Sequence, residues 1–252
     1  MNYVIILANI LVGASIGLSG IGGFFLPIIY TAVLGMAMPP ALTLSFSAFV
    51  VSGLIAAVSF VKRGYYRKAF VVPLALGCLA GAVAGSRMNA VLPVNLIKTM
   101  LYLVVLFSGS YMLIRKSNGD SGEELPPGHI LNRSGFALVL GMVVGTLGSL
   151  TGAGGAFLLV PVLAGLGERT HYAVGMGILG NIFISVPASV LYLTRVSMEG
   201  ITGLLILVLI THGLGTWGGS LLVPRVSQVH LKRGVGWLSV LSSLFLLIRL
   251  WL

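Results

Sequence analysis

Acidic residues are almost missing from this 252-residue chain, which holds 5 Asp and Glu against 15 Lys and Arg. Charged side chains of both signs reach only 8% of the sequence, against roughly a quarter in ordinary soluble domains, so a soluble fold is excluded. No Asp or Glu falls inside an apolar run, since Glu168 and Glu199 lie in short connecting segments, and a cation pump built on a buried carboxylate relay is disfavoured. Cys78 is the only cysteine and lies inside an apolar run, so no internal disulfide can form. No Lys or Arg precedes the first apolar segment, Tyr3 to Leu18, which speaks against a cleaved signal peptide.

What is present is hydrocarbon: 57% apolar residues and a mean hydropathy of +1.07. Apolar runs fall at about 3–35, 40–61, 69–88, 94–114, 134–166, 172–193, 200–223 and 233–252. The expectation is an all-α integral membrane protein of about eight transmembrane segments. The basic residues sit at the ends of these runs, where they set membrane topology, so the positive charge does not point to nucleic acid. The first and fifth runs are too long for one straight crossing and are interrupted by glycines, so each is expected to hold a broken or re-entrant helix.

The only long polar stretch, from Lys116 to Asn132, divides the chain into a first membrane repeat (1–115), a linker (116–132) and a second repeat (133–252). The halves are related. A shift of 132 positions brings Gly13 onto Gly145, Gly20 onto Gly152, Gly22-Gly23 onto Gly154-Gly155, Ala41 onto Ala173 and Arg63 onto Arg195. Farther on, a shift of 134 pairs Gly81 with Gly215 and Gly85-Ser86 with Gly219-Ser220. This is a duplication of four segments. The basic loop Lys62, Arg63, Arg67, Lys68 answers to a nearly neutral one around Arg195 and Glu199, an asymmetry that fits inverted repeats. If all eight segments crossed once, the loops on the N-terminal side would carry more Lys and Arg, favouring a cytoplasmic N-terminus; a re-entrant piece in each half would undo that count.

The most informative residues are Gly17-Leu18-Ser19-Gly20-Ile21-Gly22-Gly23 and their counterparts Ser149-Leu150-Thr151-Gly152-Ala153-Gly154-Gly155, followed by Pro27 and Pro161. Such glycine density interrupts a helix. In lipid the freed backbone groups need partners, so the breaks belong in the protein interior. A helix restarting after each break would aim its free N–H groups and positive dipole end inward, which suits an anion. Paired breaks at matching places in two repeats also mark a transporter's binding site. By contrast Gly77, Gly81 and Gly85 form a small-xxx-small run that reads as helix packing.

With these motifs, Gly20-Ile21-Gly22-Gly23-Phe24-Phe25-Leu26-Pro27 and Gly152-Ala153-Gly154-Gly155-Ala156-Phe157-Leu158-Leu159-Val160-Pro161, the chain resembles the TauE/SafE sulfite exporter family over nearly its whole length. The resemblance implies a carrier of about eight helices for sulfite, organosulfonates or related small anions, placed in a bacterial inner membrane, without enzymatic activity or cofactor, and with a homodimer as one candidate assembly. The first copy departs by reaching its proline two residues sooner and by carrying Phe24, which would narrow that half of the site.

Candidate substrate-binding residues are Ser19, Gly20, Gly22, Gly23 and Ser45 in the first half and Thr151, Gly152, Gly154, Gly155 and Asn181 in the second. Ser47 is a further available donor. Hydroxyls in membrane helices often bond their own backbone instead, whereas an amide such as Asn181 is costlier to bury without a purpose. His212, mid-segment, is the candidate for coupling to protons. Arg63 and Arg195, at equivalent span ends, are interfacial anchors or mouth residues that attract anions. No metal site is expected. The expected mechanism is rocking of one half against the other around an anion held between the breaks. Two alternatives stand beside it: a passive anion channel, and a rhomboid-like serine protease in which Ser19, within Gly17-Leu18-Ser19-Gly20, would pair with His212.

Overall fold

The computed structural model describes residues 2–114, 126, 128–222 and 228–252, so most of the polar linker lies outside the described residues. Among the described residues all regular structure is helical: α1 (Asn2–Ser19), α2 (Phe25–Ile28) running into a π-helical turn (Ile29–Val33), α3 (Met38–Lys62), α4 (Lys68–Val91), α5 (Val94–Ile114), a short 3-10 turn (Ile130–Asn132), α6 (Ser134–Thr151), α7 (Gly155–Gly165), α8 (Thr170–Leu193), α9 (Met198–Leu222) and α10 (Gln228–Trp251). Seven of them, α3 to α6 and α8 to α10, are long and apolar enough to cross a bilayer. Tyr3–Ser19 and Gly155–Gly165 are shorter apolar helices.

The two overlong runs are interrupted where glycine is densest, and neither restart continues outward. In the first, the chain turns back beside α1, so that Asn9 Nδ2 donates to Tyr30 Oη over 2.7 Å. In the second, Arg67 at the head of α4 donates to Asn132 Oδ1, just before α6, over 3.3 Å and to Glu168 Oε1, just after α7, over 3.1 Å. One guanidinium holding both ends means that the α6–α7 excursion leaves and returns on one side. Both runs fold back as hairpins, an arrangement to which the single-crossing count of basic residues does not apply.

Helix pairs form where a missing side chain lets backbones touch. Gly77, Gly81 and Gly85 of α4 abut the carbonyls of Leu138, Met142 and Thr146 of α6, so these two helices run parallel. Gly13 and Gly17 of α1 abut His212 and Thr216 of α9, while Gly215 and Gly219 abut Ile10 and Ala14, again in parallel. The two seams match under the sequence offsets: Ile10 and Ala14 are the counterparts of Met142 and Thr146. Helices α3 and α8 run antiparallel, with Ser47 Oγ 2.9 Å from Ser189 Oγ at one level, Gly53 against Ile182 at the next, and the Tyr65 ring stacked 5.0 Å from His171 beyond. Helices α5 and α10 are antiparallel too: Trp251 Nε1 donates to Thr99 Oγ1 over 3.2 Å, while Gly109 faces Gly236 and Ser239.

A Cβ on Gly81 would collide with the Met142 carbonyl, whereas one on Gly218 of the same fold meets nothing within 4 Å. Gly81→Ala is therefore expected to cost about 1–3 kcal/mol of stability by overpacking. Gly218→Ala is expected to be neutral or slightly stabilising, because it gains helix propensity. Thermal unfolding in detergent compares the two; equal melting temperatures would show that the α4–α6 seam tolerates a methyl group.

Candidate functional site

The tips of the two hairpins meet. Gly20 lies against Val174 and Ile178 of α8, and Gly152 against Pro27 and Leu42. Between them is a small cavity bordered by Gly20, Gly22 and Gly23 of the first break, by Ala153, Gly154 and Ala156 of the second, by Asn181, and by the apolar side chains of Ile16, Phe49 and Phe157. It has room for a water-sized molecule and little more. The chain reaches this place in conformations only glycine adopts readily, with φ of +73° at Gly20, +119° at Gly22, +84° at Gly152 and +79° at Gly154.

Helix α7 begins at the cavity. Its first N–H, on Gly155, donates to Asn181 Oδ1 over 2.7 Å. The next N–H groups have no acceptor within their own helix, and they form its positive end. A backbone N–H can only donate, so the Asn181 oxygen must face Gly155 and its Nδ2 must face away. No described residue accepts from that Nδ2. A buried amide and a helix start thus stand side by side at the cavity, with no carboxylate among its lining residues.

The sequence candidates divide. Gly20, Gly22, Gly23, Gly154 and Asn181 border the cavity, and Gly155 adjoins it through Asn181. Ser19 and Thr151 do not border it; they shape the breaks in the same way. Ser19 Oγ donates to the Ser15 carbonyl over 2.9 Å and accepts from Ile21 N–H over 3.3 Å, and Thr151 Oγ1 donates to the Leu147 carbonyl over 2.7 Å and accepts from Ala153 N–H over 3.3 Å. Gly152 turns the chain next to them. Ser45 lies fully buried within α3, its Oγ donating to the Ala41 carbonyl over 2.8 Å.

Phe24 is buried against Phe157, ring centroids 4.0 Å apart, and narrows the site indirectly by backing a cavity wall. Phe49 was not among the sequence candidates, although the shift of 132 positions that aligns the repeats places it opposite Asn181. The signal was there, in the partner of the one amide singled out.

His212 is fully buried beside Gly13 and next to the Asn9 backbone, and among the described residues neither ring nitrogen makes a well-formed hydrogen bond; nor does Asn9 Oδ1, also buried. Ser19 spends its hydroxyl on α1, so the Ser19–His212 pair that a protease would need is not assembled. Arg63 is exposed in the α3–α4 connection. Arg195 donates to the Ser86 carbonyl over 2.6 Å and lies over the Tyr192 ring at 5.1 Å. Glu168, a connecting residue by sequence, is buried, its side chain 1% exposed in the ion pair with Arg67.

The family model described as Sulfite exporter TauE/SafE matches residues 5–246. No curated protein and no solved structure matches the chain.

Two substitutions separate the cap at Asn181 from its donor. Asn181→Leu leaves the Gly155 N–H buried without an acceptor and is expected to cost about 1–3 kcal/mol. Asn181→Asp restores an acceptor and is expected to recover most of that loss. Thermal unfolding of the purified variants reads the difference; equal losses would mean that Asn181 does not cap α7.

Proposed function

The chain belongs to the TauE/SafE sulfite exporter family of integral membrane transporters, and on that premise we propose that it carries small sulfur-containing anions, sulfite or organosulfonates, out of the cell by alternating access. The observation that carries this reading is the α7 N-terminus capped by Asn181 in a cavity built from both hairpin tips. Sulfur oxyanions present acceptor oxygens and a spread negative charge, which N–H donors and a helix start recognise without a counter-cation. The aromatic wall of Phe49 and Phe157 beside those donors suits an organic tail. Gly20, Gly22, Gly23, Gly154 and Gly155 then let backbone approach the anion, while Ser19, Thr151 and Gly152 set the shape of the breaks and Ser45 supports α3 behind them.

Antiparallel pairing of the equivalent helices α3 with α8 and α5 with α10 supports an inverted repeat, whose two-fold axis lies in the membrane plane. The backbone seams join α1 to α9 and α4 to α6, each across the two halves. The moving bodies of alternating access are therefore composites of both halves rather than the halves themselves. The fold-back also sorts the charges. Lys62, Arg63, Arg67, Lys68, Arg133, Arg169 and Arg233 fall on one side, against Arg87, Lys98, Arg195 and Arg249 on the other. By the positive-inside rule the first set is cytoplasmic and the N-terminus faces out. The cavity's small size fits a carrier in a closed state better than a continuous pore. His212, fully buried in α9 with no side-chain partner among the described residues, is the group we assign to proton coupling.

Radiolabelled sulfite and methanesulfonate fluxes into proteoliposomes test this. The expected result is saturable flux with counterflow, and a loss of at least about tenfold in Asn181→Asp, equivalent to about 1.4 kcal/mol, because a carboxylate repels the anion while still capping α7. Linear, unsaturable flux would mean a channel; unchanged transport in Asn181→Asp would remove the site. For coupling, His212→Gln is expected to abolish the stimulation of flux by a proton gradient while leaving counterflow intact. Undiminished stimulation would retire His212.

A further inference from the structure

Hydroxyls in these helices follow a habit. Thr31, Thr43, Ser45, Thr151, Thr216 and Ser239 each donate to the carbonyl four residues back, over 2.6–2.9 Å, and so bury no free polar group. Two serines go further and lack any such bond. Ser185 Oγ and Ser86 Oγ are completely buried and make no well-formed hydrogen bond among the described residues, Ser86 lying beside the Tyr192 hydroxyl. An unpaired buried hydroxyl costs about 1–3 kcal/mol, so two exceptions in one region ask for a reason.

Their positions supply one. Along α8, Asn181, Ser185, Ser189 and Tyr192 recur at spacings of three and four residues, so they share one face of the helix, and Arg195 follows just past its end. That face is interior: Asn181 borders the cavity, Ser189 Oγ meets Ser47 Oγ of α3, and Tyr192 Oη donates to the Ser149 carbonyl of α6 over 2.9 Å. At its far end Arg195 bonds the backbone of Ser86, which brings the second orphan hydroxyl to the same place. The sequence therefore builds a lane of donors that starts at the central cavity and ends at a cation. The equivalent positions of α3 under the shift of 132 are Phe49, Gly53, Ala57 and Phe60 before Arg63, with no donor side chain until the arginine. The lane exists once, not twice.

We propose that this face of α8, with Ser86, is the passage by which the transported anion moves between the central cavity and the side of the membrane away from the basic loops, and that Ser185 and Ser86 are the hydroxyls that bind it on the way. The proposal rests on the transport reading above and adds the route and its side. Hydroxyl and amide donors a helical turn apart hand a sulfonate or sulfite group from one to the next without stripping it bare. Arg195 supplies the attraction at the mouth. Passage requires the α3–α8 contact to loosen, because the Ser47–Ser189 hydrogen bond and the Phe46–Tyr192 stack, 5.6 Å between centroids, now close it.

Single cysteines test the route in a Cys78→Ala background. Ser185→Cys, Ser189→Cys and, as the apolar counterpart of Ser189, Ala57→Cys are treated with a membrane-impermeant anionic methanethiosulfonate applied to either side of oriented membrane vesicles. Methanesulfonate serves as protectant because, unlike sulfite, it does not react with thiol reagents. The expected result is modification of both serine-derived cysteines from the non-cytoplasmic side, at least about tenfold faster than Ala57→Cys and slowed by methanesulfonate. Ser185→Cys and Ser189→Cys unmodified from both sides in protein that still transports would overturn the route and leave the transport reading standing. Side-specific, protectable modification with no sulfite flux would keep the route and remove sulfite as the substrate. Where a cysteine variant fails to fold, Arg195→Gln is the second measurement. Its KM for anion added on the non-cytoplasmic side is expected to rise at least about fivefold with kcat nearly unchanged, since Arg195 acts in capture. An unchanged KM also overturns the route.

Discussion

Hydrocarbon offers no hydrogen bonds, and from that one constraint the architecture follows. A chain that interrupts two helices inside a bilayer must find partners for every freed N–H and C=O. This protein finds them locally and across the fold: Gly20 N–H bonds Ile16, Gly152 N–H bonds Gly148, Ser19 and Thr151 accept the N–H two residues on, and Asn181 takes Gly155. Breaks that must be shielded from lipid are best shielded by each other, so the hairpin tips meet in the centre. The same backbone groups that make an interrupted helix expensive in lipid are the ones that make it useful to an anion.

The repeat supplies symmetry and the site departs from it. Backbone seams, hairpins and break-shaping hydroxyls all come in matching pairs. The cavity walls do not, since Asn181 stands opposite Phe49, and α8 carries hydroxyls where α3 carries Gly53 and Ala57. Matching seams set the place, and the difference between equivalent positions gives that place a polar and an apolar wall. The ion pair of Arg67 with Glu168 is likewise one-sided, for the position equivalent to Glu168 is Met36.

Much of this was legible in the residues. Apolar runs bounded by basic residues mark the helices to within a few positions, and glycine density locates both breaks, because composition alone decides where a helix can run in lipid. The sequence offset also picked out positions that do the same packing work in two separate seams, such as Gly81 against Met142 and Gly215 against Ile10. Whether a break continues or reverses the chain was not legible, since contacts such as Asn9 to Tyr30 decide it. Ser19 and Thr151 show the other limit. A hydroxyl beside a break could face a ligand or its own carbonyl, and only the rotamer decides. Glu168 looked like an ordinary loop residue because burial by a distant Arg67 leaves no mark on neighbouring sequence.

The glycine seams carry a consequence for how such a molecule can exist at all. Every close backbone contact in α1–α9 and α4–α6 joins one half to the other. Each half on its own presents a hairpin without its cradle and a bare glycine stripe facing lipid. Each half therefore completes its packing only against the other, and the covalent bond between them keeps partners together rather than creating the partnership.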